Sequence, residues 1–356
     1  MLSLQIGLVF VGSIVGAGLS SGRELTQFFA VYGYKSFIGV GLCGLMYIWV
    51  CKMIIELSIK YQITSYKEFI DLVCPRPIAI FTNIFLTIFL LSNTSVILAG
   101  SGAVVNQFFG VPTLFGVMLM IVISIIFLMR ETQGLYEVNN ITVPILICIM
   151  STIFISYMMK RPEQASFTYL QSLDVQKTNW LWSSFVYAGF NIISIVGIIV
   201  PLATEIKNEK IILKGVAIGS LILTIISVYI VFLMMVNPTY VKEFEIPILA
   251  VAHQVTPYLQ VALLIMVWLE MFSSQISNVY SLTKSLQSKV NIKYEHAIVL
   301  SILVALPLST LGFKTLVDVL YPVQGVLSLG FLVCLIYYYT SNKFKVSLTL
   351  PNTPGA

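Results

Sequence analysis

Twelve residues near the start of the chain, Val11 to Gly22, hold four glycines and three serines inside an apolar segment long enough to cross a bilayer. Each glycine costs a helix roughly 1 kcal/mol relative to alanine. Opened backbone in hydrocarbon also finds no water for its N–H and C=O groups. The stretch is therefore expected to interrupt a helix where it is buried in protein or lines a polar cavity. Two readings follow. The amides of Gly16, Ala17 and Gly18, with Ser13 before them, can receive an anionic group of a solute at a half-helix N-terminus. Alternatively Gly12 with Gly16 and Gly18 with Gly22, each spaced G-x-x-x-G, only let helices approach closely.

Two other stretches carry polar groups at membrane depth. The first, Tyr187, Gly189, Phe190 and Asn191, reads as a second interrupted span, with an aromatic ring and an amide able to cap and bond a bound solute. The second is Glu270, Ser273, Ser274, Ser277 and Asn278, at i, i+3, i+4, i+7 and i+8 on one helical face. An intramembrane carboxylate is a functional candidate by default, and Glu270 can carry a coupling proton. Arg23 and Glu24 form a gate or a buried pair, or else sit solvated at the interface with Arg23 snorkelling. Asn93, Thr94 and Ser95 either line the same cavity or bond their own backbone. Asp318, Tyr321 and Gln324 flank Pro322, which marks an irregular last helix or a plain kink.

These residues need a membrane scaffold, and composition supplies it. The 356 residues are 58% hydrophobic and 10% charged, against about 25% charged in soluble domains. The partners implied are a lipid bilayer and a small solute, and the net charge of +5 says nothing of nucleic acid. The five cysteines show no metal-ligand spacing and read as free thiols, and two histidines do not make a metal site. No cofactor is expected, and no ATP-binding motif is found. Gly39 to Gly44 fits G-x-G-x-x-G, but inside a span with no strand before it. Gly18 to Gly22 fits G-x-S-x-G, yet neither His253 nor His296 lies in the core of a span to serve as a base. An enzyme is not the expected class.

Runs of about 20 apolar residues give ten spans: 2–30 (interrupted), 36–58, 77–106, 112–130, 137–159, 179–206 (interrupted), 211–236, 257–283, 295–312 and 315–340. A short half-helix opened by Pro247 is expected over 245–256. Thirteen Lys and Arg, Arg130 and Lys289 among them, fall on the side of the N-terminus and six on the other, which places both termini in the cytoplasm. The two glycine breaks lie about 172 residues apart. Shifting spans two and three by that offset lays them over spans seven and eight. Five spans per half give opposite orientations, an inverted repeat. The chain is thus one transmembrane domain over 1–356, with repeats at about 1–160 and 179–340, an external linker at 161–178 and a cytoplasmic tail at 341–356.

This five-plus-five arrangement with discontinuous helices one and six resembles the LeuT fold of the amino acid–polyamine–cation transporter superfamily. The run from Val11 through Arg23-Glu24-Leu25-Thr26-Gln27-Phe28-Phe29 is similar to the first helix of YkvI-type bacterial membrane proteins. The resemblance implies a multi-pass protein of the bacterial cytoplasmic membrane. It also implies a secondary transporter of a zwitterionic or anionic solute such as an amino acid, driven by sodium or protons. A solute carboxylate would bind at the first break. A sodium ion would lie between the Gly12 and Val15 carbonyls and the hydroxyls of Ser273, Ser274 and Ser277. The lysine that some proton-coupled relatives carry in helix five is missing from 137–159. The membrane subunit of spore germinant receptors resembles the same fold, so an amino-acid-sensing receptor is the second reading.

Overall fold

The computed structural model describes residues 2–129, 132–287 and 292–349. Arg130, Lys289 and the last seven positions of the expected tail lie outside the described residues. The expected first span is three helical pieces: α1 (Leu2–Ile14), α2 (Ala17–Ser20) and α3 (Arg23–Phe28). There follow α4 (Ser36–Tyr61), α5 (Tyr66–Val73), α6 (Arg76–Phe109), α7 (Thr113–Leu128), α8 (Thr132–Lys160) and α9 (Phe167–Ser172). The second half contains α10 (Trp180–Ile206), α11 (Glu209–Val236), α12 (Pro238–Glu243), α13 (Pro247–Val255), α14 (Pro257–Gln287), α15 (Tyr294–Ser309) and α16 (Phe313–Thr349). Among the described residues, seven helices are long and apolar enough to cross a membrane, and α1, α7 and α15 are shorter apolar ones. Together they occupy the ten expected spans. Helix α16 runs to Thr349, nine residues past its expected end at 340.

The first break falls where the glycine cost placed it. Val15 and Gly16 separate α1 from α2, and Gly16 has an extended backbone. Gly22 separates α2 from α3 with φ of +81°, a left-handed conformation that favours glycine. A Cβ there would also stand 2.8 Å from Met234 Sδ. Small residues set helix spacing elsewhere: a Cβ on Gly219 of α11 would lie 2.7 Å from the Gly7 carbonyl of α1, so the two backbones touch. Pro247 opens α13 at its first turn, as expected, because its missing N–H needs no partner there.

The second break requires correction. Helix α10 is uninterrupted from Trp180 to Ile206. Asn191 does not open the backbone, because its amide donates to the Tyr47 hydroxyl at 3.0 Å and to the Tyr187 carbonyl one turn back at 3.2 Å. Gly189 lies against α16, where a Cβ would meet Leu329 Cδ2 at 3.2 Å and the Gly325 carbonyl at 3.5 Å. Both residues that signalled a break are accommodated by neighbours within an intact helix.

Candidate functional site

At the first break the carbonyls ending α1 and the amides opening α2 have no intrahelical partners. Ser274 of α14 reaches one of them, its hydroxyl donating to the Val15 carbonyl at 2.9 Å. Around this point lies a small cavity of about 40 Å³. The first span supplies Ser13, Ile14, Gly16, Ala17 and Glu24, and α6 supplies Asn93 and Ile97. Phe190, Asn191 and Ser194 come from α10, Ser274 and Asn278 from α14, and Tyr321 from α16. Ser13, Asn93, Ser194 and Asn278 keep partial exposure, whereas Glu24, Phe190, Asn191 and Tyr321 are buried. The partly exposed positions continue along α10 and α14 to Gly197, where an added Cβ would meet nothing nearer than Ser281 Oγ and Tyr66 Cδ1 at 3.8 Å. The cavity therefore leads toward the α5 end of the bundle.

The opposite end is closed. Arg23 Nε lies 3.4 Å from Asp318 Oδ1 of α16, and its Nη1 donates to the carbonyls of Phe244 at 3.1 Å and Val241 at 3.4 Å. Gln27 Nε2 donates to the Asp318 carbonyl at 2.8 Å. The α12–α13 hairpin is held over this seal by Ile248 N–H to the Ser21 carbonyl (3.2 Å) and Ile246 N–H to Gln107 Oε1 (3.1 Å). Beneath it sits a stack of rings. Phe190 and Tyr321 have centroids 4.7 Å apart, and Phe28 and Tyr187 5.2 Å apart. Arg23 and Glu24, alike in a reading of the sequence, are thus separated by the helix. Arg23 turns to the seal and Glu24, only 2% exposed, to the cavity.

Gly18 makes room for that carboxylate. A Cβ on it would lie 2.5 Å from Tyr321 Cε2 and 3.0 Å from Glu24 Cβ. The Tyr187 hydroxyl stands beside Glu24, short of hydrogen-bond geometry, and among the described residues Glu24 Oε1 is buried without a hydrogen-bond partner.

Of the expected solute-binding residues, Ser13, Gly16, Ala17, Phe190 and Asn191 line the cavity. Gly18 and Tyr187 do not line it but lie against Glu24, which does. Gly189 does not line the cavity and packs on α16. The polar face of α14 is divided: Ser274 and Asn278 reach the cavity, while Glu270, fully buried, faces Thr142 of α8 with neither carboxylate oxygen hydrogen-bonded. Ser277 donates to the Ser273 carbonyl at 3.2 Å. The Val15 carbonyl and the Ser274 hydroxyl are oxygen donors of the kind hard cations take, while Gly12, Ser273 and Ser277 are not among the residues lining the cavity. Among the described residues there is no cluster of three or more His, Cys, Asp or Glu side chains able to hold a metal ion. Thr94 and Ser95 bond helix carbonyls, Ser95 reaching Ala305 of α15 at 2.8 Å. Ser194 and Ile97 went unread in the sequence. Ser194, at i+3 from Asn191, shared the signal that marked Asn191.

No protein-family model matches the chain. The chain is 30% identical over 330 residues to the membrane protein YkvI of Bacillus subtilis, covering 92% of this chain and 93% of that one. It belongs to the YkvI family. A second relative from the same organism, YyaD, is 26% identical over 346 residues, covering 95% of this chain and 97% of YyaD. Among solved structures, this YkvI-family chain superposes on a substrate-bound, outward-open Na+-coupled sialic acid symporter with a TM-score of 0.67 at 15% identity, over 91% of this chain and 76% of that one. The Eremococcus coleocola manganese transporter gives 0.66 at 12%, over 95% and 78%. MhsT in complex with L-phenylalanine gives 0.62 at 15%, over 88% and 79%. The YkvI-family chain has the LeuT fold.

Proposed function

We propose that this YkvI-family chain is a secondary active transporter of a small zwitterionic solute, an amino acid or a close relative, driven by a sodium or proton gradient through alternating access. The observation that carries the reading is a cavity built around a broken membrane helix. It is sealed toward α3 by Arg23 and Asp318 and leads out toward α5 past Ser13, Ser194 and Asn278. A site that reaches one side while the other is closed is what alternating access requires. An amino acid bound in MhsT supports the solute class. The lining favours a zwitterion over an anion, because among the described residues Glu24 is its formally charged side chain and no Lys or Arg lines it.

Sodium coupling would use the Val15 carbonyl with the hydroxyls of Ser274, Ser273 and Ser277 and the Gly12 carbonyl. Proton coupling would use Glu270 or Glu24. The Lys and Arg distribution supports both termini in the cytoplasm of a bacterial cell, so the open end of the cavity faces inward.

Purified protein in liposomes, loaded with an inward sodium or proton gradient and offered labelled amino acids, tests the reading. Gradient-dependent accumulation is expected. Saturable binding with no accumulation under either gradient overturns it and favours an amino-acid-sensing receptor of the same fold.

A further inference from the structure

We infer that Glu24 is the ammonium-binding group of the cavity, so that the solute is recognised first as an amine, with its cation between the Glu24 carboxylate and the faces of Phe190 and Tyr321. This rests on the reading of the cavity as a solute site and names the chemistry of one end of it.

Glu24 is the formally charged residue among those lining the cavity, and it is 2% exposed with Oε1 buried and unpartnered. A buried carboxylate left without a partner is unfavourable, and a cation entering the cavity offsets that cost. The neighbouring cation cannot serve, since the Arg23 guanidinium is engaged by Asp318 and by the carbonyls of Val241 and Phe244 on the far side of the helix.

The carboxylate is also held in place. Gly18 provides a surface with no side chain for Glu24 and Tyr321 to lie against, and the Tyr187 hydroxyl stands at its side. Around it the rings of Phe190 and Tyr321 meet at 4.7 Å and 36°, and Phe28 lies 6.5 Å from Phe190. Aromatic faces next to a carboxylate attract an ammonium by the ring quadrupole as well as by charge. The remaining polar lining, Ser13, Asn93, Asn191 and Ser274, is neutral. It suits the uncharged or anionic remainder of the solute.

The test uses matched probes that keep one charge at a time: L-leucine, 3-methylbutylamine and 4-methylpentanoate, then L-phenylalanine, 2-phenylethylamine and 3-phenylpropanoate. Binding to the purified full chain is measured by calorimetry. In at least one set the amine is expected to bind within about tenfold of the amino acid and the acid far more weakly. Glu24→Gln is expected to weaken the amine by about tenfold or more, the scale of a lost buried charge pair. Dicyclohexylcarbodiimide labelling of the wild-type protein, read peptide by peptide, supplies a measurement that needs no variant. The amine should protect Glu24 while leaving Glu270, which lies outside the cavity, labelled at its original rate. Binding of the acids in preference to the amines, amine affinity unchanged by Glu24→Gln, or Glu24 labelling unaffected by a bound amine overturns the assignment and leaves the transporter reading standing. Failure of the wild-type protein to bind any of the six probes overturns it together with the amino-acid reading.

Discussion

The Ser274 hydroxyl donates to the carbonyl of Val15, the residue that follows α1, at 2.9 Å. One hydrogen bond thus ties the longest polar stretch of α14 to the break in the first span. Replacing Ser274 by alanine removes the partner of a carbonyl that has no amide to turn to. The structural cost should be that of a buried carbonyl left unpartnered, about 1–3 kcal/mol, with the melting temperature as the check that the protein remains folded. If a sodium ion shares these oxygens, Ser274→Ala should raise the sodium concentration for half-maximal uptake at least severalfold. Uptake measured against sodium at fixed solute decides it, and an unchanged sodium dependence rejects this location for the ion.

Gly16 and Gly18, two residues apart, should respond differently to the same methyl group. A Cβ on Gly16 meets Ser274 Oγ at 3.6 Å, an ordinary contact, whereas one on Gly18 falls into Tyr321 and Glu24. Gly16→Ala is expected to bind solute within a few-fold of wild type. Gly18→Ala should displace the carboxylate and cost about 1–3 kcal/mol of binding, the range of an overpacked site. Calorimetry on both variants, with melting temperatures as a folding control, checks the contrast. Equal behaviour of the two would show that both glycines serve packing alone.

The position of the seal follows from a pair of residues 295 apart in sequence, Arg23 and Asp318. Their side chains differ in burial, 4% exposed for Arg23 and 42% for Asp318. Because one partner is so exposed, the ion pair is worth only about 0.2–1 kcal/mol. Asp318→Asn should therefore open the α3 end only about two- to fivefold more often. Arg23→Ala also strips a donor from the carbonyls of Val241 and Phe244, and the loss of such buried bonds adds about 1–3 kcal/mol. A cysteine at Ala17 in a chain with the native cysteines removed, labelled from the α3 side by an impermeant thiol reagent, reports both. The order Arg23→Ala faster than Asp318→Asn faster than parent is expected, and a reversal would place the seal elsewhere.

What the sequence made legible was what depends on local composition. The ten spans follow from run length, the first break from the density of glycine, and the start of α13 from Pro247. The errors have one physical origin, partners far away in the chain. Gly189 looked like a break because nothing in the sequence near it shows α16 pressing against it. Asn191 looked free because Tyr47, which accepts its amide, lies 144 residues earlier. Arg23 and Glu24 are neighbours whose side chains leave the helix in different directions, so sequence could offer them only as a pair. Glu270 was legible as a buried carboxylate, but its direction, toward Thr142 of α8 instead of the cavity, was not.

That direction separates two roles for the two buried carboxylates. Glu24 lines the cavity and Glu270 does not, although both are at most 2% exposed. Glu270→Gln keeps the shape of the side chain and removes its charge. Because the Glu270 side chain faces α8 and does not line the cavity, solute affinity at equilibrium should stay within about twofold of wild type, since groups that share no partner act nearly independently. If Glu270 takes part in coupling, gradient-driven accumulation should fall to the level reached without a gradient, while exchange of solute across the membrane continues. Thr142→Val should move accumulation in the same direction, because it takes a hydroxyl from beside the carboxylate. Accumulation and counterflow measured side by side in liposomes make the distinction. A Glu270→Gln protein that still concentrates solute assigns coupling to Glu24 or to the oxygens around Val15 and Ser274.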